Sequence, residues 1–66
     1  MTQQEARARV NAIKSVMHDP EHAHILEDEL YADIVRYVAE EAPEPFKSVA
    51  KEALRTEKLD FARWYA

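Results

Sequence analysis

His24, Glu27 and Asp28 form the densest group of side chains able to do chemistry in this sequence, with His22 just ahead of them. On a helix, His24 and Asp28 share a face at i,i+4, and His24 and Glu27 do so at i,i+3. Two ligands at that spacing can hold one divalent metal, so His24 and Asp28 are the candidate metal ligands. Completing such a site needs further ligands from elsewhere in the chain or from a second subunit, with Asp60 as the candidate. The competing reading is a hydrogen-bonded structural network, the usual state of polar groups drawn into a fold. Acid–base work by Glu27 and His24 is conceivable from the residue types. The chain has no glycine, hence no glycine turn, and it is too small to enclose much of a pocket. Ser48 and Lys51 match an SxxK spacing only by chance. No catalytic residue is assigned, enzymatic activity is not expected, and no cofactor is expected.

The element that positions this cluster is the stretch from Asp19 to Glu41. Asp19 can accept from the first-turn amides, and Pro20 suits the first helical position because its missing N–H costs nothing there. Glu21 places negative charge near the positive end of the helix dipole. Pro43 and Pro45 stop the helix. At about 100° per residue, Ala23, Leu26, Leu30, Ile34 and Tyr37 run along a broad apolar stripe, widened by Tyr31, Val35 and Val38. Ile25, Ala32 and Ala39 make a thin second stripe on the opposite face, so the helix can pack against more than one neighbour. Glu27 falls inside the broad stripe. A buried carboxylate must be paired or neutralised, so Glu27 is expected either to lie beyond the core or to have a partner. His24, Tyr31 and Arg or Trp groups of the C-terminal segment are the candidates.

A first helix is expected from about Thr2 to Met17. Thr2 and Glu5 have capping-box spacing. Ala6, Val10, Ile13 and Met17 form a narrow seam read as intramolecular core. His18-Asp19 reads as a turn histidine followed by a capping aspartate. After the second helix, Pro45 is expected to open a third, with Phe46, Val49, Ala50, Ala53 and Leu54 inward. Lys47, Lys51, Arg55 and Lys58 form a basic row. That row reads as a solvated face with weak ion pairs, or as a stripe for nucleic acid or an acidic partner. The end of the chain is aromatic. Leu59 and Phe61 are expected in the core, whereas Trp64 and Tyr65 serve equally as core or as partner anchors.

Sixty-six residues make one domain, expected to be marginal as a monomer. The absence of cysteine excludes disulfides and thiolate metal sites. No stretch is long and apolar enough to span a membrane and no signal peptide is visible, so a cytoplasmic location is the default. A net charge of −4 disfavours nonspecific nucleic-acid binding and suits a basic protein surface.

The segment Ala23-His24-Ile25-Leu26-Glu27-Asp28-Glu29-Leu30 and the C-terminal Asp60-Phe61-Ala62-Arg63-Trp64 resemble paired AHxxEDxL and DFARW segments of small helical proteins of bacteria and their phages or prophages. The resemblance covers about the last two-thirds of the chain and carries no catalytic role with it. It implies that the cluster on the central helix meets Asp60, Arg63 or Trp64.

The expectation is an all-α chain: a small three-helix bundle over residues 1–66, with a short C-terminal helix or turn packed back on it. The function expected first is an acidic protein-interaction module, self-associating as a homodimer or acting as a phage-type accessory factor on a host protein. His24, Glu27, Asp28, Tyr31, Arg63, Trp64 and Tyr65 are its candidate contact residues. A small metal- or ligand-binding protein using His24, Glu27 and Asp28 is the alternative, and nucleic-acid binding through the basic row is the second alternative.

Overall fold

The structure is a computed structural model and describes residues 1–61. The chain is all-α: α1 (Gln3–Ser15), α2 (Pro20–Glu41) and α3 (Phe46–Leu54) are followed by a 3-10 helix (Arg55–Lys58), with no strand among the described residues. Arg63, Trp64 and Tyr65 lie outside the described residues, and so does any meeting of Arg63 or Trp64 with the central helix.

The helix starts follow from side-chain chemistry. Thr2 is extended, and its Oγ1 accepts from the Glu5 amide at 3.1 Å. At α2, Asp19 Oδ1 accepts from the His22 amide at 3.2 Å, and Pro20 takes the first helical position. The turn between α1 and α2 is closed by the Asp19 amide donating to the Val16 carbonyl at 2.9 Å. α3 begins differently. Pro45 precedes the helix instead of opening it, provides no side-chain cap, and follows a cis Glu44–Pro45 bond. The nearby Glu44 carboxylate receives the Ser48 hydroxyl at 2.5 Å and, more loosely, the Ser48 amide at 3.4 Å.

The chain divides into two compact units, Met1–Tyr31 and Ala32–Ala66, with α2 contributing to both. In the first unit Leu30 is buried, at 4% exposure. α1 buries no residue completely. Its expected seam is split: Ala6 and Ile13 are half-buried, while Val10 and Met17 are exposed. The half-covered positions are Ala6, Arg9, Ile13 and Val16, at steps of three, four and three. Because α1 ends at Ser15, Met17 sits in the following turn and leaves the register that would have kept it on the seam.

In the second unit the buried apolar residues, among those described, are Ala39 and Ala50. Ala39 belongs to the thin stripe of α2 and Leu30 to the broad one, so both stripes contribute buried positions. On α3 the covered positions are Ala50, Lys47 and Leu54, while Phe46 and Val49 are 61% and 66% exposed. The expected inner face holds at Ala50 and Leu54 and is corrected at Phe46, Val49 and Ala53. α3 is rotated so that the row through Lys47, Ala50 and Leu54 turns inward, which carries Phe46, Val49 and Ala53 to the side. Leu59 and Phe61 are also exposed instead of buried. The backbone becomes extended at Leu59, where the 3-10 helix ends, and this takes both residues off the helical face. Arg36 on α2 reaches the carboxylate of Glu57 in the 3-10 helix and also pairs with Asp33 at 2.9 Å. Among the described residues no helix is long and apolar enough to cross a membrane.

Candidate interaction site

Two features compete as the site, one in each unit. The first is the polar cluster on α2. His24 Nδ1 stands 3.3 Å from Glu27 Oε1, and His24 Nε2 stands 3.7 Å from Asp28 Oδ2. The spacing at i,i+3 and i,i+4 on a regular helix produces this arrangement without help from another element. One imidazole thus faces two carboxylates with its two nitrogens. A neutral ring has one N–H and can donate to only one of them; both are served as donors only by the imidazolium.

Of the alternatives for Glu27, the structure shows a half-exposed carboxylate that has a partner on its own helix. Its side chain is 44% exposed, beside 40% for His24 and 54% for Asp28. A carboxylate with that much access to water keeps most of its hydration, so no guanidinium or indole is needed to neutralise it. Its partner is His24, one of the candidates named from the sequence. Tyr31, one turn further along α2, is exposed at 57%. Among the described residues no group of three or more His, Cys, Asp or Glu is placed to hold a metal. His24 and Asp28 therefore face each other across a surface ion-pair distance, with no third such ligand among the described residues.

The second feature is an apolar groove wholly within the second unit. Ile34, Val35 and Val38 of α2 line one side, and Phe46, Val49, Ala50 and Ala53 of α3 line the other, around a hollow of about 270 Å³. Its lining contains no charged or polar side chain. Only Ala50 of the seven is buried. Periodicity places these residues on apolar faces but cannot say that the faces stay open, and the sequence reading assigned the α3 residues to the core. The available signal was the pair of stripes on α2: if Ala39 on the thin stripe is covered, part of the broad stripe becomes surplus.

The basic row is spread over two elements, Lys47 and Lys51 on α3 and Arg55 and Lys58 on the 3-10 helix. Lys47 is half-buried, and Arg55 pairs with Glu52 at 2.7 Å. A row with one stem partly covered and one head already paired presents less charge than its spacing promises.

The comparisons with known proteins add no further constraint: no protein-family model, no curated protein and no solved structure matches the chain.

Proposed function

We propose that the chain is a small protein-interaction module that binds through the groove between the second half of α2 and α3. The observation that supports this reading is the openness of that groove. Phe46 and Val49, the large side chains on the α3 side, are each more than half exposed, while the buried residue of the lining is the small Ala50. Contiguous exposed apolar surface of this kind marks places where another chain settles. Covering it releases about 25 cal/mol per Å² of apolar area removed from water. A two-helix groove with an apolar floor suits an amphipathic helix that presents side chains at i, i+3 or i+4, and i+7. The resemblance to phage-type proteins favours an accessory role on a protein partner over an enzymatic one.

The reading is tested with the full chain and its Val49→Glu variant, using affinity capture followed by reconstitution with purified candidates, alongside light scattering. Val49 is 66% exposed, so the substitution leaves the helices intact by circular dichroism. A protein, or a second copy, that binds the unaltered chain and is lost from the variant supports the groove. Association that ignores the substitution, or no association of either kind, overturns the reading.

A further inference from the structure

We infer that the occupant of the groove is the first helix of a second copy of this chain. The inference rests on the groove being an interaction surface and identifies what fills it. The first observation is the charge layout. Residues 1–18 carry three bases against one acid, residues 19–44 carry nine acids against one base, and residues 45–66 carry five bases against three acids. A chain so divided repels itself as a whole only weakly, at −4, but its basic N-terminal segment is complementary to its own acidic middle.

The second observation is where that charge sits beside apolar surface. Arg7, Val10 and Lys14 follow one another along α1 at steps of three and four, and Met17 follows three residues on, in the turn. All four are exposed, Val10 at 43% and Met17 at 64%. This stripe is distinct from the half-covered row of Ala6, Arg9, Ile13 and Val16, so α1 can keep that row covered and still present a mixed basic and apolar face. The groove offers the counterpart. Glu41 continues the row of Ile34 and Val38, and Glu52 stands one turn beyond Val49, where it also pairs with Arg55 at 2.7 Å. α2 ends on Glu40 and Glu41 with no base in its last turn, against the preference of a helix C-terminus for positive charge. An incoming Arg7 or Lys14 would supply that charge while Val10 and Met17 settle on Phe46, Val49 and Ala53. Related by a two-fold axis, each copy gives its first helix and receives the other's.

The test uses the full chain in light scattering at a series of concentrations and salt levels. The expected result is a species of twice the 7.7 kDa chain mass, weakened by salt because exposed charges contribute to it. Val49→Glu should weaken association by about thirty-fold, the loss expected of a central anchor. The deciding variants are two charge reversals, R7E/K14E and E41K/E52K, each with its helix content confirmed by circular dichroism. Each alone sets like charge against like and should be monomeric. Mixed, they restore opposite charges at both contacts and should form a heterodimer. A monomer at every concentration overturns the second copy as occupant while leaving the groove open to a foreign partner. A dimer indifferent to Val49→Glu overturns the groove itself. A dimer that depends on Val49 but ignores both charge reversals overturns the role given to α1.

Discussion

The two units share local side-chain contacts and differ in one ion pair of long reach, Arg36 to Glu57 in the second. In Met1–Tyr31 these contacts are local: Thr2 caps α1, Asp19 caps α2, and His24 answers Glu27 and Asp28 about one turn on. In Ala32–Ala66 the contacts Asp33–Arg36, Glu44–Ser48 and Glu52–Arg55 are local too, but Arg36 also reaches across twenty-one residues to Glu57 and joins α2 to the 3-10 helix. Those caps and the His24 cluster are thus written turn by turn in the sequence. The Arg36–Glu57 pair joins residues that become neighbours only after the chain has folded. Local contacts form early and cost little loop entropy, whereas non-local ones must overcome it. Both units leave large apolar side chains exposed, Val10, Met17, Ile25 and Tyr31 in the first and Phe46 and Val49 among those of the second. In the second, Phe46 and Val49 line a common apolar groove with Ile34, Val35 and Val38.

The largest effect that could break this contrast lies at Leu30. It is the one large apolar side chain among the buried residues described. Leu30→Ala should cost about 2–5 kcal/mol, enough to unfold a marginal domain, and thermal denaturation should show a large fall in melting temperature. A fall of only a degree or two would mean that burial at Leu30 contributes little. Next is Ala50→Leu, which inserts extra methylenes where Ala50 is 7% exposed. Overpacking there should cost about 1–3 kcal/mol, and hydrogen exchange should loosen in residues 46–58 before α1. Equal loosening throughout would show that the units do not differ in the way proposed.

These sites also show what could be read from the sequence. The boundaries of α2 were legible because Asp19, Pro20, Pro43 and Pro45 act on their immediate neighbours, and the His24 cluster was legible because helical spacing alone assembles it. The exposure of Glu27 was not. Its angular position says which stripe it joins but not whether that part of the stripe is covered. The rotation of α3 was missed for the same reason: of the expected inner face Ala50 and Leu54 are covered, but the larger Phe46 and Val49 are not. Volume favoured one face and packing chose another, a preference that no single-helix pattern contains. The groove followed from that choice.

A smaller effect sharpens the local side of the comparison. Asp19→Ala removes the acceptor of the His22 amide and should cost about 1 kcal/mol, with Asp19→Asn nearly neutral because the amide oxygen still accepts. Urea titration would separate the two variants. Equal losses from both would mean that the carboxylate acts through its charge at the helix dipole and not through the hydrogen bond.

The smallest effect compares a non-local ion pair with a local one. Arg36 and Glu57 are each 45% exposed, and Arg36 is shared with Asp33, so solvent screening limits their coupling to about 0.2–1 kcal/mol. A double-mutant cycle with Arg36→Ala and Glu57→Ala measures it, and the matching cycle with His24→Ala and Glu27→Ala measures the local pair, expected at about 0.3–0.5 kcal/mol when the imidazole is charged. The two couplings are similar in size but should differ in what they hold. Loss of Glu57 should speed exchange in the 3-10 helix, because that pair ties it to α2, whereas loss of His24 should leave the helix on either side of it unchanged. If removing His24 instead destabilises α2 by more than about 1 kcal/mol, the cluster is a structural network of the whole fold and the contrast between the local pair and the long-reaching one fails.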